Sequence, residues 1–229
     1  MVMHELENPI WAALNSAQQY FSIPAGAARR YPAEVAPFCA VAEQGVPLSA
    51  DDLAGIADGS YYFLGAMPQL PQGWTLQPLS GVLQMVYEGG PVAQPGGDAP
   101  AAIRVLAADD PAMVELTDIA FPGYFRPRTG EMGKYAGIHD EGGRLVALSG
   151  ERMDLGQLRE VSAVCTHPEF TGRGYARRLV QFIMHGMQQQ GVRPMLHVGA
   201  ANARAQALYR SMGFTATREL PHARLICPR

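Results

Sequence analysis

Two hydrophobic periods alternate along this chain, and the places where one gives way to the other mark its elements. LREVSAVCT, Leu158 to Thr166, has strand character; Pro168 ends it because proline has no N–H to give a sheet ladder. After Thr171-Gly172-Arg173-Gly174-Tyr175-Ala176 the spacing lengthens. Ala176, Leu179, Val180, Ile183 and Met187 then recur as on one helix face, which predicts a helix from about Gly174 to Gln190, stopped by Gly191 and Pro194. PMLHVGA returns to a strand, Asn202 caps a second helix over ARAQALYRSM that Gly213 stops, and FTATREL and ARLICP close as strands. Upstream, AIRVLA is a strand and Asp110-Pro111 opens a helix through MVELTDIAF. PGYFRPRTGEMG is irregular and carries Arg126 and Arg128, and KYAGIHDEGGRLVALSGERM is a hairpin about a Glu-Gly-Gly turn. The order β-α-β-β-β-α-β-α-β predicts a mixed α/β domain over 102–229.

Residues 1–88 form a separate, smaller α/β unit in this pattern. ENPIWAALNSAQQYF is a helix with Asn8 as N-cap and Pro9 at its first position, and Ile10, Leu14 and Ala17 as its apolar stripe. APFCAVAE and SYYFLGA are strands, with a short helix between them, SADDLAGIA, capped by Ser49. TLQPLSGVLQMVYE holds a further strand, strongest from Val82 to Tyr87. No catalytic motif occurs in this half. Trp11, Tyr31, Tyr61, Tyr62 and Trp74 belong to a core or to a pocket wall. GGPVAQPGGDAPA, residues 89–101, is the Gly/Pro-rich linker between the two units and is expected to be poorly ordered.

Composition narrows the class. At 229 residues, 48% hydrophobic and 17% charged, the chain folds around a real core. A formal net charge of −3 argues against nucleic acid as a partner. Its basic cluster, Arg173, Arg177 and Arg178, flanks the glycine turn and suits a phosphorylated ligand. Cys39, Cys165 and Cys227 are odd in number and lack metal spacing, so no metal is expected and a reducing cytoplasm fits. No apolar run approaches the length of a membrane span, and the N-terminal stretch lacks a signal-peptide pattern.

Candidate chemistry gathers at the glycine turn. Two glycines let the backbone turn tightly, and the unpaired N–H groups and dipole of the following helix favour an anion, most often phosphate. The motif is neither a Walker A loop, since no Gly-Lys-Ser/Thr follows, nor a Rossmann fingerprint, since Arg177 stands where the third glycine belongs. By itself it is also compatible with an ordinary strand-to-helix turn. Downstream stands N-x-R-A-x-x-L-Y-R-S-M-G-F, from Asn202 to Phe214.

Together the two segments resemble the GNAT superfamily of acetyl-CoA-dependent N-acetyltransferases over residues 102–229. V-C-T-H-P-E-F-T-G-R-G-Y-A is similar to its pyrophosphate motif, R/Q-x-x-G-x-G/A: Gly174 and Ala176 match, while Thr171 departs from the usual Arg or Gln. S-A-V-C-T-H-P, L-H-V and L-Y-x-x-x-G-F resemble the branch of glycine N-acyltransferase C-terminal domains. The resemblance implies a GNAT acyl-CoA N-acyltransferase fold in the C-terminal half, and the N-terminal unit alternates helices and strands like a degenerate copy of it.

The resemblance also implies roles. Val164, Cys165 and Thr166 would pair with the pantetheine arm as an added strand, the strand having splayed from its neighbour. Thr171, Gly172, Arg173, Gly174, Tyr175 and Ala176 would hold the pyrophosphate on their amides. Asn202 would contact the coenzyme near its thioester arm, or act as a plain N-cap, or both. Tyr209 would protonate the leaving thiolate; otherwise it is a core tyrosine beside Ala205, Leu208 and Met212. A base must free the amine of its proton. Glu160 is one candidate, sharing a strand face with Ser162, Val164 and Thr166, and His197, five residues before Asn202, is the other. Glu151, His139 and His167 rank lower, and Cys165 lacks an activating partner for a nucleophile.

The expected protein is thus a cytoplasmic N-acetyltransferase with acetyl-CoA as co-substrate and no metal. It acts on a small-molecule or peptide amine, with no nucleic acid or membrane partner. A non-catalytic acyl-CoA sensor and a protein-modifying acetyltransferase are the competing readings. An open acidic groove favours peptides or polyamines; a closed, aromatic-lined cleft favours a small molecule.

Overall fold

The strand expected at 158–166 is the middle member of a seven-stranded sheet in the computed structural model, which describes residues 5–56, 61–96 and 102–228. In chain order the first half contributes α1 (Pro9–Leu14), β1 (Ile23–Ala25), β2 (Ala28–Arg30), β3 (Cys39–Val41), α2 (Ala50–Ala54), β4 (Tyr62–Leu64), β5 (Thr75–Pro78) and β6 (Val82–Tyr87). The second half contributes β7 (Ile103–Val105), α3 (Pro111–Ala120), β8 (Tyr135–His139), β9 (Leu145–Asp154), β10 (Leu158–Thr166), α4 (Tyr175–Gln189), β11 (Arg193–Gly199), α5 (Ala203–Ser211), β12 (Phe214–Leu220) and β13 (His222–Ile226).

The large sheet is mixed, in the order β12-β6-β11-β10-β9-β8-β7. Its parallel pair, β10 and β11, is joined through α4, as a crossover requires. Helices cover both faces. Leu179, Val180, Ile183, Met184 and Met187 of α4 pack with Val161, Leu196 and Val198, while Met113 and Leu116 of α3 pack with Leu148, Ala163 and Cys165 on the other side. Five buried side chains at about 1.5–3 kcal/mol each outweigh the ~1 kcal/mol that a missing N-cap costs. That balance lets α4 begin with no side-chain cap.

The two halves exchange strands. β6, expected to belong to residues 1–88, lies between β11 and β12 in the large sheet. β13, from the chain's end, pairs with β4 and β5 in a three-stranded sheet built from the first half. The segment after residue 88 therefore does not divide the sheets. Nor does the first half repeat the arrangement of the second: apart from β6, its strands lie in two small antiparallel sheets, β1-β2-β3 and β4-β13-β5. Gln18 ties it down further, donating to Arg152 O at 2.7 Å while accepting from Tyr31 Oη at 2.6 Å.

Local expectations fare unevenly. Ser49 and Asp52 form a reciprocal capping box on α2, and Asp110 caps α3. Asn8 makes no side-chain cap; its amide reaches across to Val41 O at 2.7 Å, and α1 stops at Leu14. The β1–β2 hairpin around Gly26 carried no alternation strong enough to be read. The first residues of the expected linker are tied to α4: Gln188 accepts from Val92 N at 2.8 Å, and His185 Nδ1 lies 2.8 Å from Val92 O. Residues 97–101 of the expected linker, with Ser60 of the expected strand and Ala57 of the expected helix, lie outside the described residues.

Candidate active site

β10 and β11 pair only from Leu158 to Glu160 against Arg193 to Met195. Past that point β11 stays with β6 while β10 stays with β9, and the two strands part. Register shifts in β10 lie between Arg159 and Val161 and between Ser162 and Cys165, and Ala163 within the second has φ 53°. A non-glycine residue in that region is uncommon and marks a site where the backbone is re-aimed. The irregularities also end the simple alternation expected from Glu160 to Thr166. Val161, Ser162, Ala163 and Val164 in succession line the gap, and Glu160 does not. Backbone donors and acceptors along the parted edges need partners, and an extended ligand arm is of the right shape to supply them.

Thr171, Gly172, Arg173 and Gly174 form an exposed turn into α4, followed by half-buried Tyr175 and Ala176. Gly172 and Gly174 have φ of 80° and 76°, and a Cβ on either would project into open space. Positive φ explains why glycine stands there, and the free space with an uncapped helix start fits a pyrophosphate on the amides. Arg173 stacks on Phe170 at 4.7 Å, and Arg177 donates to Ser211 Oγ at 2.5 Å, anchoring the start of α4 to the end of α5.

α5 brings two of the expected residues to the same gap. Asn202 caps it, accepting from Ala205 N at 3.0 Å, and lines the cavity described below. Tyr209, two turns on, is 7% exposed, packs edge-on against Phe214 and lines the same cavity. Its hydroxyl makes no hydrogen bond with any described residue. Burial, and after it the Cys165 thiol, push its pKa up to about 12, so the phenol holds its proton. The Cys165 side chain turns into the α3 face, where burial pushes the thiol up to about 12; it is inert as a nucleophile.

Neither expected base is free. Glu160 is 1% exposed and receives Arg152 in a fork, Nε to Oε2 at 2.7 Å and Nη2 to Oε1 at 2.6 Å. Burial raises its pKa, but Arg152 and then His197 overcome that and hold the carboxylate well below its usual range. A carboxylate so held is a poor proton acceptor. His197 Nδ1 lies 2.8 Å from Glu160 Oε1, and its Nε2 lies 3.0 Å from the Gln84 amide nitrogen, which also donates to Leu6 O at 2.9 Å. An amide NH₂ can only donate, so Nε2 accepts and Nδ1 carries the proton. Both nitrogens of His197 are engaged although the ring borders the cavity. Glu151 is salt-bridged to Arg159 at 3.2 Å, and neither it nor His139 nor His167 lines the cavity.

That cavity, about 550 Å³, opens between the parted strands and the first half of the chain. Ser162 to Val164, His197, Asn202 and Tyr209 form one wall. The other holds Phe38, Phe121, Tyr124, Phe125, Arg152 and His222, none of which was singled out from the sequence. The aromatics expected to choose between core and pocket fall in the core or beside it: Tyr31 and Tyr61 are fully buried, and Tyr62 backs the wall by stacking on Tyr124 at 4.6 Å. The F-P-G-Y-F cluster of the irregular segment was the available signal; its arginines drew attention instead. Among the described residues no aspartate or glutamate lines the cavity.

A family model described as FR47-like protein matches residues 135–221. A protein from Novosphingobium aromaticivorans, described as an acetyltransferase from the GNAT family, is 32% identical with a TM-score of 0.82, over 99% of this chain and 100% of that one. A GCN5-related N-acetyltransferase from Kribbella flavida shares the fold at 17% identity and a TM-score of 0.61, over 95% of each chain. Another, from Sphaerobacter thermophilus, is 21% identical at a TM-score of 0.52, over 65% of this chain and 52% of that one. No curated protein matches the sequence.

Proposed function

The chain belongs to the GNAT family of acetyltransferases, and from that premise we propose that it moves an acetyl group from acetyl-CoA to the primary amine of a small molecule with an apolar body. The observation that carries the proposal is the cavity at the parting of β10 and β11. It joins the exposed strand edge and Tyr209 on one side to an aromatic wall without carboxylates on the other. A volume of about 550 Å³ suits a small ligand. The absence of acidic lining disfavours polyamines, and aromatic walls give a peptide main chain little to bond.

In this reading the amides of Thr171 to Ala176 hold the pyrophosphate, and the edge of β10 at Val164, Cys165 and Thr166 takes the pantetheine arm. Asn202 orients the thioester. The amine attacks the thioester carbonyl from the aromatic side, a β10 N–H near Val164 stabilises the oxyanion, and Tyr209 gives its proton to the departing thiolate. Glu160 holds Arg152 and His197 in place instead of accepting the amine's proton. Placement near the glycine N-acyltransferase-like branch is part of the same proposal, supported by S-A-V-C-T-H-P and L-Y-x-x-x-G-F. So is a reducing, cytoplasmic setting, supported by the buried thiols of Cys39 and Cys165.

The test is an acetyl-transfer screen over arylalkylamines, amino acids, polyamines and peptides, reading CoA release. Arylalkylamines are expected to lead. Turnover only on peptides or polyamines overturns the acceptor class, and binding of acetyl-CoA without any turnover makes the protein a sensor.

A further inference from the structure

We propose that His222, at the start of β13, is the base that accepts the proton of the acceptor amine, acting from the aromatic wall of the cavity rather than from β10. The proposal rests on the acetyltransferase reading. It begins from the vacancy just described, since Glu160 and His197 are both spoken for by their partners. His222 lines the same cavity as Ser162, Val164 and Tyr209, on the side where the amine enters.

The ring is held in place. His222 lies 5.5 Å from the Tyr62 ring and 6.1 Å from the Tyr124 ring, and those two stack on each other. Its backbone is fixed by β-pairing with Leu64 and by Leu79 N donating to its carbonyl at 2.9 Å. Two phenols and two side chains of basic type face it: Tyr62 from β4, Tyr124 from the segment after α3, Arg152 from β9 and His197 from β11. No carboxylate in the cavity lining favours an imidazolium. Burial first, and Arg152 next, push the pKa of His222 below its ordinary value, with a backbone hydrogen bond at Ser80 opposing them. The ring is therefore neutral at pH 7, the form that can take a proton.

The step balances. The amine enters as an ammonium ion, and His222 takes one proton from it and passes that proton to solvent. The freed nitrogen forms the C–N bond to the thioester carbonyl carbon, the C–S bond breaks, and sulfur takes the Tyr209 proton. The second proton that the nitrogen sheds returns through solvent to the tyrosinate. Ammonium and acetyl-CoA become acetamide, CoA and one proton.

The test compares wild type, His222→Asn and His222→Phe, with phenethylamine as the first probe and the best amine of the screen as the second. His222→Asn should lower kcat at pH 7 by about 10²- to 10⁴-fold, with acetyl-CoA affinity unchanged. The deficit should shrink at high pH, where the amine deprotonates itself, and added imidazole should restore part of the rate. A structural role would produce neither effect. If His222→Asn does not fold, His222→Phe keeps the packing against Tyr62 and Tyr124 and carries the same test. Wild-type kcat at pH 7 in a folded variant, or a deficit indifferent to both imidazole and pH, overturns the proposal while leaving the acetyltransferase intact. No transfer by the wild type to any amine overturns the acetyltransferase reading, and this proposal with it.

Discussion

The proposed coenzyme face and the proposed acceptor cavity lie side by side but are made differently. The first is one continuous stretch, from the edge of β10 through Gly172 and Gly174 into α4, and what it offers a ligand is backbone amides. The second draws side chains from the turn before β3, from β9, β10, β11, α5 and β13, and from the segment around Tyr124, and it offers rings, a phenol and an imidazole. A backbone-built site tolerates changes of side chain except where a side chain would fill it. A side-chain-built site changes its ligand with each residue of its walls.

The most severe way to break the coenzyme face alone is Gly174→Val. A β-branched residue at φ 76° is strained, and its side chain would occupy the open space before the turn. We expect acetyl-CoA binding to vanish in calorimetry, along with the thermal stabilisation of about 2.7 kcal/mol that a ligand at 100-fold its Kd provides. Retained binding would place the pyrophosphate elsewhere.

Next in size is Tyr209→Phe, which tests the seam between the two regions. Loss of the acid should lower kcat by about 10²- to 10⁴-fold with acetyl-CoA affinity little changed. A merely structural tyrosine gives the reverse, lower stability with normal turnover per folded molecule.

Glu160→Gln tests whether the cavity wall rests on a buried ion pair. Leaving Arg152 unpaired should cost about 3–5 kcal/mol in urea unfolding, with turnover per folded molecule reduced far less than in Tyr209→Phe. The sign with pH follows from the lowered folded-state pKa. The contribution of Glu160 is present above its unfolded value of 4.5 and is lost as pH falls from there towards the folded value. Wild type should lose stability over that window, and the variant should lack that part of the loss. A variant as stable as wild type at pH 7 would remove the ion pair as a support.

The smallest effect belongs to Asn202→Ala. Losing the cap of α5 should cost about 1 kcal/mol. A rise in the acetyl-CoA Kd beyond that seen for a distant cap variant, Asp110→Ala, would add coenzyme contact to its role; an unchanged Kd would confine it to capping.

Legibility followed the same divide. The strand at 158–166, the glycine turn, α4 and the Asn202 cap were open to reading because each depends on residues within a few positions: a proline that ends a ladder, a φ only glycine adopts easily, a carbonyl reaching an amide three residues on. Asn8 was misread because an asparagine before a proline looks like a cap even when its side chain is turned so that Nδ2 donates to a distant carbonyl, here Val41 O, and Oδ1 is left off the helix amides. The partners of Glu160 were not legible because strand spacing does not register a bulge or the guanidinium of Arg152 on the next strand.

The sequence by itself determined the strand-turn-helix proposed to receive the coenzyme and the capped helix carrying Tyr209, since local backbone preference and hydrophobic period dictate both. The tertiary structure alone decided that β6 and β13 exchange between the halves, that β10 parts from β11, and that His222 faces the cavity while His197 is sealed by Gln84 and Glu160. The physical reason is that an ionisable side chain acquires its chemistry from burial and from the charges and hydrogen-bond partners around it. Those neighbours are brought together by packing between residues far apart in the chain.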